Sequence, residues 1–243
     1  MRLLVAADYA GLSREAARLV ARRILEKPDL VLALPTGETP LGLYRELVRL
    51  HQEGLLDFAR VTAFNLDEYL GLPPGHPASF RAYMERNFWG HVNLRPEACH
   101  IPQSLPEDAE AECRRYEAWI QEAGGLDLAI LGLGKNGHLA FNEPGTPWES
   151  RTHVAELAEE TRREEAPWFG GLAHVPKRAI TMGIRTLMNA REILLLVSGE
   201  EKASVLARAL EGPVTPAVPA SILQLHPNLK VMVDRAAARG LGV

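Results

Sequence analysis

Cysteine is scarce in this chain of 243 residues: only Cys99 and Cys113 occur, and they lack CxxC spacing. Two cysteines are too few for a disulfide framework, so we expect reduced thiols. Long apolar runs are also missing, because stretches such as residues 193–197 fall far below the ~20 residues that cross a bilayer. The apolar run at residues 3–7 is too short for a secretory leader. These absences predict a soluble, cytoplasmic protein with no membrane partner.

The charge pattern lacks any basic run. The 27 Lys plus Arg residues stand against 31 Asp plus Glu, a net charge of −4, which argues against a nucleic-acid partner. The eight histidines show no ligand spacing such as HxxxH, so we expect no metal. The glycine pattern of residues 132–137 is by itself a weak dinucleotide signal, and no cofactor is predicted.

Six short apolar runs recur along the chain, and segments with helical periodicity separate them. The runs lie at residues 3–7, 30–34, 61–64, 126–131, 193–197 and 230–233. This alternation predicts an α/β fold: a three-layer, mostly parallel, Rossmann-like sheet with helices on both faces. We find no internal repeat, low-complexity tract or long linker, so we predict a single domain over residues 1–243.

Four helices are readable from their apolar stripes and start signals. They cover residues 14–26, 41–53, 80–88 and 107–123. Ser13 is predicted to cap the first, Pro40 to open the second and Ser79 to precede the third. Residues 145–176 have only a weak pattern, which predicts an inserted surface or lid segment.

Polar motifs follow four of the predicted strands. They are PTGETP (35–40), NLDEY (65–69), GLGKNGHLAFNEPG (132–145) and SGEEK (198–202). Ligands of an open parallel sheet bind beyond the carboxyl ends of its strands. We therefore expect these four loops to form one site.

Two of these loops could hold an anion. In PTGETP, Thr36 offers a hydroxyl and Gly37 a permissive turn before a helix N-terminus, which favours phosphate. Glu38 argues against phosphate, and a plain strand-to-helix turn is the alternative. Lys202, in the first turn of a predicted helix, also suits phosphate, with an ordinary exposed lysine as the alternative.

The other two loops carry acid/base groups. Asp67 could serve as a general base on a carbon acid, or it could cap a helix. Its neighbour Glu68 is predicted to point away into solvent or a salt bridge. An imidazole exchanges protons near neutral pH, so His138 could be an acid/base group, with Glu143 to orient it and Asn136 to hold the ring. A structural histidine is the alternative.

Taken together, PTGETPLGLY, FNLDEYLGLP, GLGKNGHLAFNEPG and VPKRAITMGI resemble the glucosamine-6-phosphate deaminase (isomerising) family, from the first strand to about Asp234. The related 6-phosphogluconolactonases share the fold but lack the Phe-Asn-Glu-Pro corner. The resemblance implies isomerisation of glucosamine 6-phosphate, a small-molecule sugar phosphate, coupled to loss of ammonia, which gives fructose 6-phosphate.

The resemblance also implies catalytic roles. Asp67 corresponds to the base that moves a proton between C2 and C1. His138, assisted by Asn136 and Glu143, corresponds to the group that opens the sugar ring. Asn136 stands where many members have aspartate, so Glu143 is the only anionic partner expected for His138.

The implied phosphate ligands are Thr36, Gly37 and Lys202. Two positions expected around the phosphate depart from the family pattern. Glu38 occupies a phosphate-loop position that is usually small, and it is counted among the candidate binding residues. Pro167 falls where better-known members carry a phosphate-binding arginine, so Arg162 or Arg163 is expected to substitute.

The chain ends without the C-terminal extension of allosteric hexameric members. We therefore expect a monomer or small homo-oligomer that N-acetylglucosamine 6-phosphate does not activate. Three alternatives stay open: an enzyme for another amino-sugar phosphate such as galactosamine 6-phosphate, a 6-phosphogluconolactonase-like hydrolase, and a non-catalytic sugar-phosphate sensor. The negative charge and the lack of a helix-turn-helix segment before the first strand argue against the sensor.

Overall fold

The computed structural model describes residues 1–242, which form ten strands and eight α-helices. The strands are β1 (Arg2–Ala6), β2 (Val31–Leu34), β3 (Thr62–Asn65), β4 (Asp67–Tyr69), β5 (Cys99–His100), β6 (Leu128–Leu131), β7 (His153–Glu156), β8 (Arg178–Thr181), β9 (Glu192–Val197) and β10 (Leu229–Asp234). Seven of them form one parallel sheet in the order β1-β10-β9-β6-β2-β3-β5. All six predicted strands lie in this sheet, and the predicted fold class is confirmed.

The helices lie on both faces of this sheet. They are α1 (Tyr9–Glu26), α2 (Leu41–Gln52), α3 (Phe80–Asn87), α4 (Ala109–Glu122), α5 (Glu159–Glu165), α6 (Ile184–Met188), α7 (Ala203–Leu210) and α8 (Arg235–Ala238). Pro40 and Ser79 occupy the N-cap positions of α2 and α3, as predicted. Among the described helices, none combines the length and apolar character that a bilayer span needs.

The predicted cap of the first helix is wrong. Helix α1 begins at Tyr9 rather than after Ser13, and the Asp8 carboxylate caps it by accepting the Gly11 N–H at 2.7 Å. Ser13 lies inside the helix, where its hydroxyl donates to the Tyr9 carbonyl at 2.8 Å. Both residue types are good caps, and Asp8 satisfies free N–H groups one turn earlier.

The central strand β2 shows how the two core layers form. Leu32 and Leu34 point to one face, where they pack with side chains of α1 and α2. Val31 and Ala33 point to the other face, against α4 and α7. A parallel strand buried on both faces reads as a continuous apolar run, which is why these strands were visible in the sequence.

A second sheet was not predicted. Strands β4, β8 and β7 form a three-stranded antiparallel sheet, in which Asp67 lies opposite Thr181. One residue, Leu66, separates β4 from β3. These strands of three or four residues are too short to show a period of two, and their partners lie far along the chain. The small sheet carries Asp67 at the edge of the large one.

Residues 145–176 carry more regular structure than their weak pattern suggested. They include β7, α5 and two short 3-10 helices, Ala166–Phe169 and Leu172–His174. Helix α5 has no side-chain cap, so the usual start signal is missing. The Phe169 ring packs edge-on against Tyr69 of β4, with centroids 5.1 Å apart. The segment therefore lies against the small sheet, while its movement as a lid and the single-domain organisation stay predictions.

Candidate active site

The loop after β6 is a tight glycine turn that presents His138. The Gly134 N–H donates to the His138 carbonyl at 3.1 Å, and the Gly137 N–H donates to the Gly134 carbonyl at 3.0 Å. Gly137 has a φ of +92°, which favours glycine. A Cβ at Gly134 would lie 2.3 Å from the His138 ring. The imidazole can cross this turn only because position 134 has no side chain.

The Glu143 carboxylate is the centre of the hydrogen bonds around His138. Its Oε2 accepts from Asn136 Nδ2 at 2.7 Å and lies 3.3 Å from His138 Nδ1. Its Oε1 accepts from the Thr161 hydroxyl at 2.6 Å and from the Ala158 N–H at 3.2 Å, both in or beside α5. The predicted grouping of Asn136, His138 and Glu143 is thus present, and α5 is attached to it.

The surroundings of Glu143 keep it ionised. Burial alone raises the pKa of its carboxyl group, but the hydrogen bond and charge of His138, with the hydrogen bonds of Thr161 and Asn136, outweigh this and hold it at about 2. A carboxylate on Nδ1 fixes the ring orientation and leaves Nε2 as the free nitrogen. His138 is therefore oriented to exchange protons with a ligand.

Asp67 is a buried strand residue and not a helix cap. It is the first residue of β4, and its side-chain oxygens accept no hydrogen bond from any residue in the range 1–242. Burial raises its pKa well above the ordinary value, and the charges of Glu68 and Glu165 raise it further. A carboxylate with a raised pKa is a stronger base, as proton abstraction from carbon requires.

The prediction that Glu68 points into solvent is wrong. Its side chain is buried and accepts the backbone N–H groups of Tyr69, Phe80 and Arg81 at 2.9 to 3.0 Å. Burial raises the pKa of Glu68, while these backbone hydrogen bonds act to lower it. Glu68 therefore fixes the start of α3 against β4, and this holds the strand that carries Asp67.

The PTGETP loop is braced by tyrosine hydroxyls that the sequence analysis missed. Tyr44 donates to the Pro35 carbonyl at 2.5 Å, and Tyr83 donates to the Gly37 carbonyl at 2.6 Å. Gly37 has a φ of +97° and open space where a Cβ would be. Beside it, Thr36 is half-buried, whereas Glu38 is exposed. The loop thus has the open, rigid shape expected of an anion cradle.

Lys202 is not an ordinary exposed lysine. It lies in a 3-10 helix, Glu200–Lys202, just before α7, and its Nζ donates to the Leu133 carbonyl of the glycine turn at 2.8 Å. Burial lowers its pKa, and the charge of Glu164 in α5 opposes this shift. Lys202 therefore brings a positive charge to the loop that carries His138.

Arg162 is bonded within its own segment. Its Nη2 donates to the carbonyls of Leu172 and Val175 at 3.0 and 3.2 Å. The neighbouring Arg163 is exposed and pairs with Glu159. Contact between Arg162 and a phosphate would require its backbone hydrogen bonds to open, so this role stays a prediction.

Glu165 is a residue of the site that the sequence analysis missed. It is half-buried at the end of α5, and its charge raises the pKa of Asp67. Burial raises the pKa of Glu165, whereas a hydrogen bond with Tyr69 and the charge of His138 act to lower it. Glu143 is therefore not the only anion near His138. The spacing of Thr161 and Glu165 is that of one helix face, but it is informative only once α5 is known to be a helix.

A profile described as glucosamine-6-phosphate isomerases/6-phosphogluconolactonase matches residues 7–232. The chain belongs to this family of sugar-phosphate enzymes.

Within the family it is similar to proteins named glucosamine-6-phosphate deaminase. The one from Clostridioides difficile is 47% identical over 99% of this chain and 97% of its own length. The deaminase 1 of Bacillus subtilis is 47% identical over 98% of each chain.

Among solved structures, this chain is more similar to a deaminase than to a 6-phosphogluconolactonase. A structure described as a monomeric glucosamine-6-phosphate deaminase matches with a TM-score of 0.97 and 46% identity, over 99% of this chain and 100% of that chain. The 6-phosphogluconolactonase of Trypanosoma brucei matches with a TM-score of 0.77 and 22% identity, over 99% of this chain and 98% of that one. The second likeness shows the shared fold alone.

The contact between Gly134 and His138 gives a first prediction. Gly134→Ala should push the imidazole from the turn and shift the NMR resonances of the His138 ring. Gly132→Ala is the matched control, because a Cβ there meets nothing within 4 Å. Heteronuclear NMR of the ring carbons measures both variants. Unchanged His138 resonances in Gly134→Ala would contradict the close approach.

The lowered pKa of Glu143 predicts a pH-dependent stability. Its pKa of about 2 in the folded protein lies below the ordinary 4.5. The ionised Glu143 carboxylate therefore stabilises the folded state fully above pH 4.5, and this stabilisation is lost as the pH falls toward 2. The difference in unfolding free energy between wild type and Glu143→Gln should therefore narrow by roughly 3 kcal/mol over that range.

Urea unfolding at a series of pH values measures this difference. The exposed Glu122→Gln is the control and should differ from wild type by a nearly constant amount. A difference for Glu143→Gln that does not change with pH would show that the carboxylate is not stabilised as described.

Proposed function

We propose that the chain is a glucosamine-6-phosphate deaminase, which converts glucosamine 6-phosphate and water to fructose 6-phosphate and ammonia. The observation that carries the proposal is a buried carboxylate, Asp67, on the same edge of the sheet as the imidazole and carboxylate pair of His138 and Glu143. The two loops are joined, because the Phe141 N–H donates at 3.0 Å to the hydroxyl of Thr181, the strand partner of Asp67. The similarity to proteins of that name supports the same activity.

His138 opens the sugar ring. The C2 hydrogen of the sugar becomes acidic only when C1 is a free aldehyde. Opening requires removal of the proton on the C1 hydroxyl and delivery of a proton to the ring oxygen. The free Nε2 of His138 performs both transfers in turn, and Glu143 and Asn136 hold the ring while its charge changes.

Asp67 carries out the isomerisation. It takes the proton from C2, the C1–C2 double bond forms, and the aldehyde oxygen gains a proton. When Asp67 returns its proton to C1, the nitrogen on C2 becomes an imine. Water adds to C2, ammonia leaves, and the ketone of fructose 6-phosphate remains. The raised pKa of Asp67 suits a group that must hold a proton between two carbon atoms.

The phosphate of the substrate belongs at the PTGETP loop and Lys202. The loop offers the Thr36 hydroxyl and the open backbone of Gly37, and Lys202 adds a positive charge. The exposed Glu38 side chain takes no part in the brace that shapes this loop. We place the enzyme in the cytoplasm, since both cysteines are free thiols, and expect a monomer or small homo-oligomer.

The proposed activity is tested by incubating the purified protein with glucosamine 6-phosphate. Ammonia and fructose 6-phosphate should form in equal amounts. Hydrolysis of 6-phosphogluconolactone in the same assay, with no ammonia from the amino sugar, would favour the hydrolase alternative. A substrate-induced rise in melting temperature without turnover would favour the sensor.

The role of Asp67 has a separate test in Asp67→Asn. An amide cannot accept the C2 proton, so exchange of that proton with deuterated water should fall by at least about a hundredfold. Binding of the substrate should persist, because the phosphate loop is unchanged. Proton NMR follows the exchange, and exchange at the wild-type rate would remove Asp67 from this role.

A further inference from the structure

Lys135 lies on the glycine turn that presents His138, and it is the only lysine or arginine in residues 132–145. In the large sheet, β6 lies between β9 and β2. The loop after β6 therefore lies between the SGEEK loop, which follows β9, and the PTGETP loop, which follows β2. A ligand group that contacts both outer loops also lies over the middle loop, which carries Lys135.

Lys202 of the SGEEK loop contacts this same turn. Its Nζ donates to the Leu133 carbonyl at 2.8 Å, and Leu133 precedes Lys135 by two residues. Burial lowers the pKa of Lys202, and the charge of Lys135 lowers it further. Two ammonium groups at one short turn repel each other, and an anion that contacts both relieves this repulsion. The turn therefore offers a pair of cations to a negatively charged ligand.

Glu164 of α5 is the partner of Lys135 in this structure. The Lys135 Nζ lies 3.7 Å from the Glu164 carboxylate, which is longer than the roughly 2.7–2.9 Å of a charge-assisted hydrogen bond. The two side chains are 49% and 29% exposed, and an ion pair between partly solvated groups is weak. Water can solvate the Glu164 carboxylate when the lysine leaves it. Lys135 is therefore available to an anion of higher charge.

We propose that Lys135 binds the phosphate group of the substrate in exchange for Glu164, together with Lys202 and the PTGETP loop. The proposal rests on the deaminase activity proposed above, whose substrate is a sugar phosphate. A phosphate monoester carries nearly two negative charges above about pH 7, since its second pKa is about 6. It therefore attracts an ammonium group more strongly than one carboxylate does, and its three oxygens can accept from two lysines at once. Lys135 thereby favours a phosphorylated sugar over a neutral one.

A purely mechanical role of the ion pair predicts something different. If Lys135 and Glu164 only fasten α5 to the glycine turn, removal of either partner breaks the same contact and weakens ligand binding to the same extent. If Lys135 binds phosphate, Glu164 competes with the ligand for it. Removal of Lys135 then weakens binding, whereas removal of Glu164 does not. The effect of Glu164 on affinity separates the two roles.

The test uses glucitol 6-phosphate, an unreactive open-chain probe, at about pH 8, where its phosphate is a dianion. Calorimetry measures its Kd for wild type, Lys135→Gln, Lys135→Arg, Glu164→Gln and the control Lys177→Gln, which removes the charge of an exposed lysine outside the four loops. Lys135→Gln should lose at least about tenfold in affinity, about 1.4 kcal/mol. Lys135→Arg should stay within about threefold of wild type, and Lys177→Gln within about twofold. Glu164→Gln should bind the probe as tightly as wild type or up to about threefold more tightly.

A Kd for Lys135→Gln within about twofold of the wild-type value would overturn the proposal. An equal loss of affinity in Lys135→Gln and Glu164→Gln would overturn it in favour of the mechanical role. Ammonia release from glucosamine 6-phosphate by the wild-type protein is measured in parallel. Release together with an unchanged Kd for Lys135→Gln contradicts the role of Lys135 alone, whereas absence of release contradicts the proposed function.

Discussion

The rest of the site depends on the hydrogen bonds that the Glu143 carboxylate accepts. One of its oxygens holds the His138 ring and the Asn136 amide, and the other holds the Thr161 hydroxyl of α5. Only an ionised group accepts four such contacts, and a pKa of about 2 keeps it ionised at every physiological pH. The same carboxylate therefore orients the imidazole and holds the start of α5 in place. The position of the imidazole and the attachment of α5 depend on one charge.

The two carboxylates with proposed catalytic roles, Glu143 and Asp67, lie in opposite environments. Glu143 is surrounded by donors that stabilise its charge, whereas Asp67 lies among apolar groups and other acids that destabilise its charge. The first arrangement suits a permanent anion, and the second suits a base that must take up a proton. Glu165 contributes to the second environment, because its charge raises the pKa of Asp67.

Local patterns predicted the large sheet and the loops that carry chemistry. Fully buried strands such as β2 and β9 show as continuous apolar runs, and the glycine turn before His138 follows one of them directly. Contacts between distant segments had no such signal. The pairing of Asp67 with Thr181, the tyrosine braces of PTGETP and the inward face of α5 depend on tertiary packing. The solvent-facing position predicted for Glu68 was also wrong, because its carboxylate accepts N–H groups from α3, a segment distant in the sequence.

The charge state of Glu143 in the folded protein tests its central role most directly. Carbon-13 NMR of its side-chain carboxyl group reports ionisation as pH is lowered. The resonance should remain that of a carboxylate down to about pH 3, in keeping with a pKa of about 2. A titration midpoint near the ordinary 4.5, or above it, would contradict the claim that this carboxylate holds both the imidazole and α5.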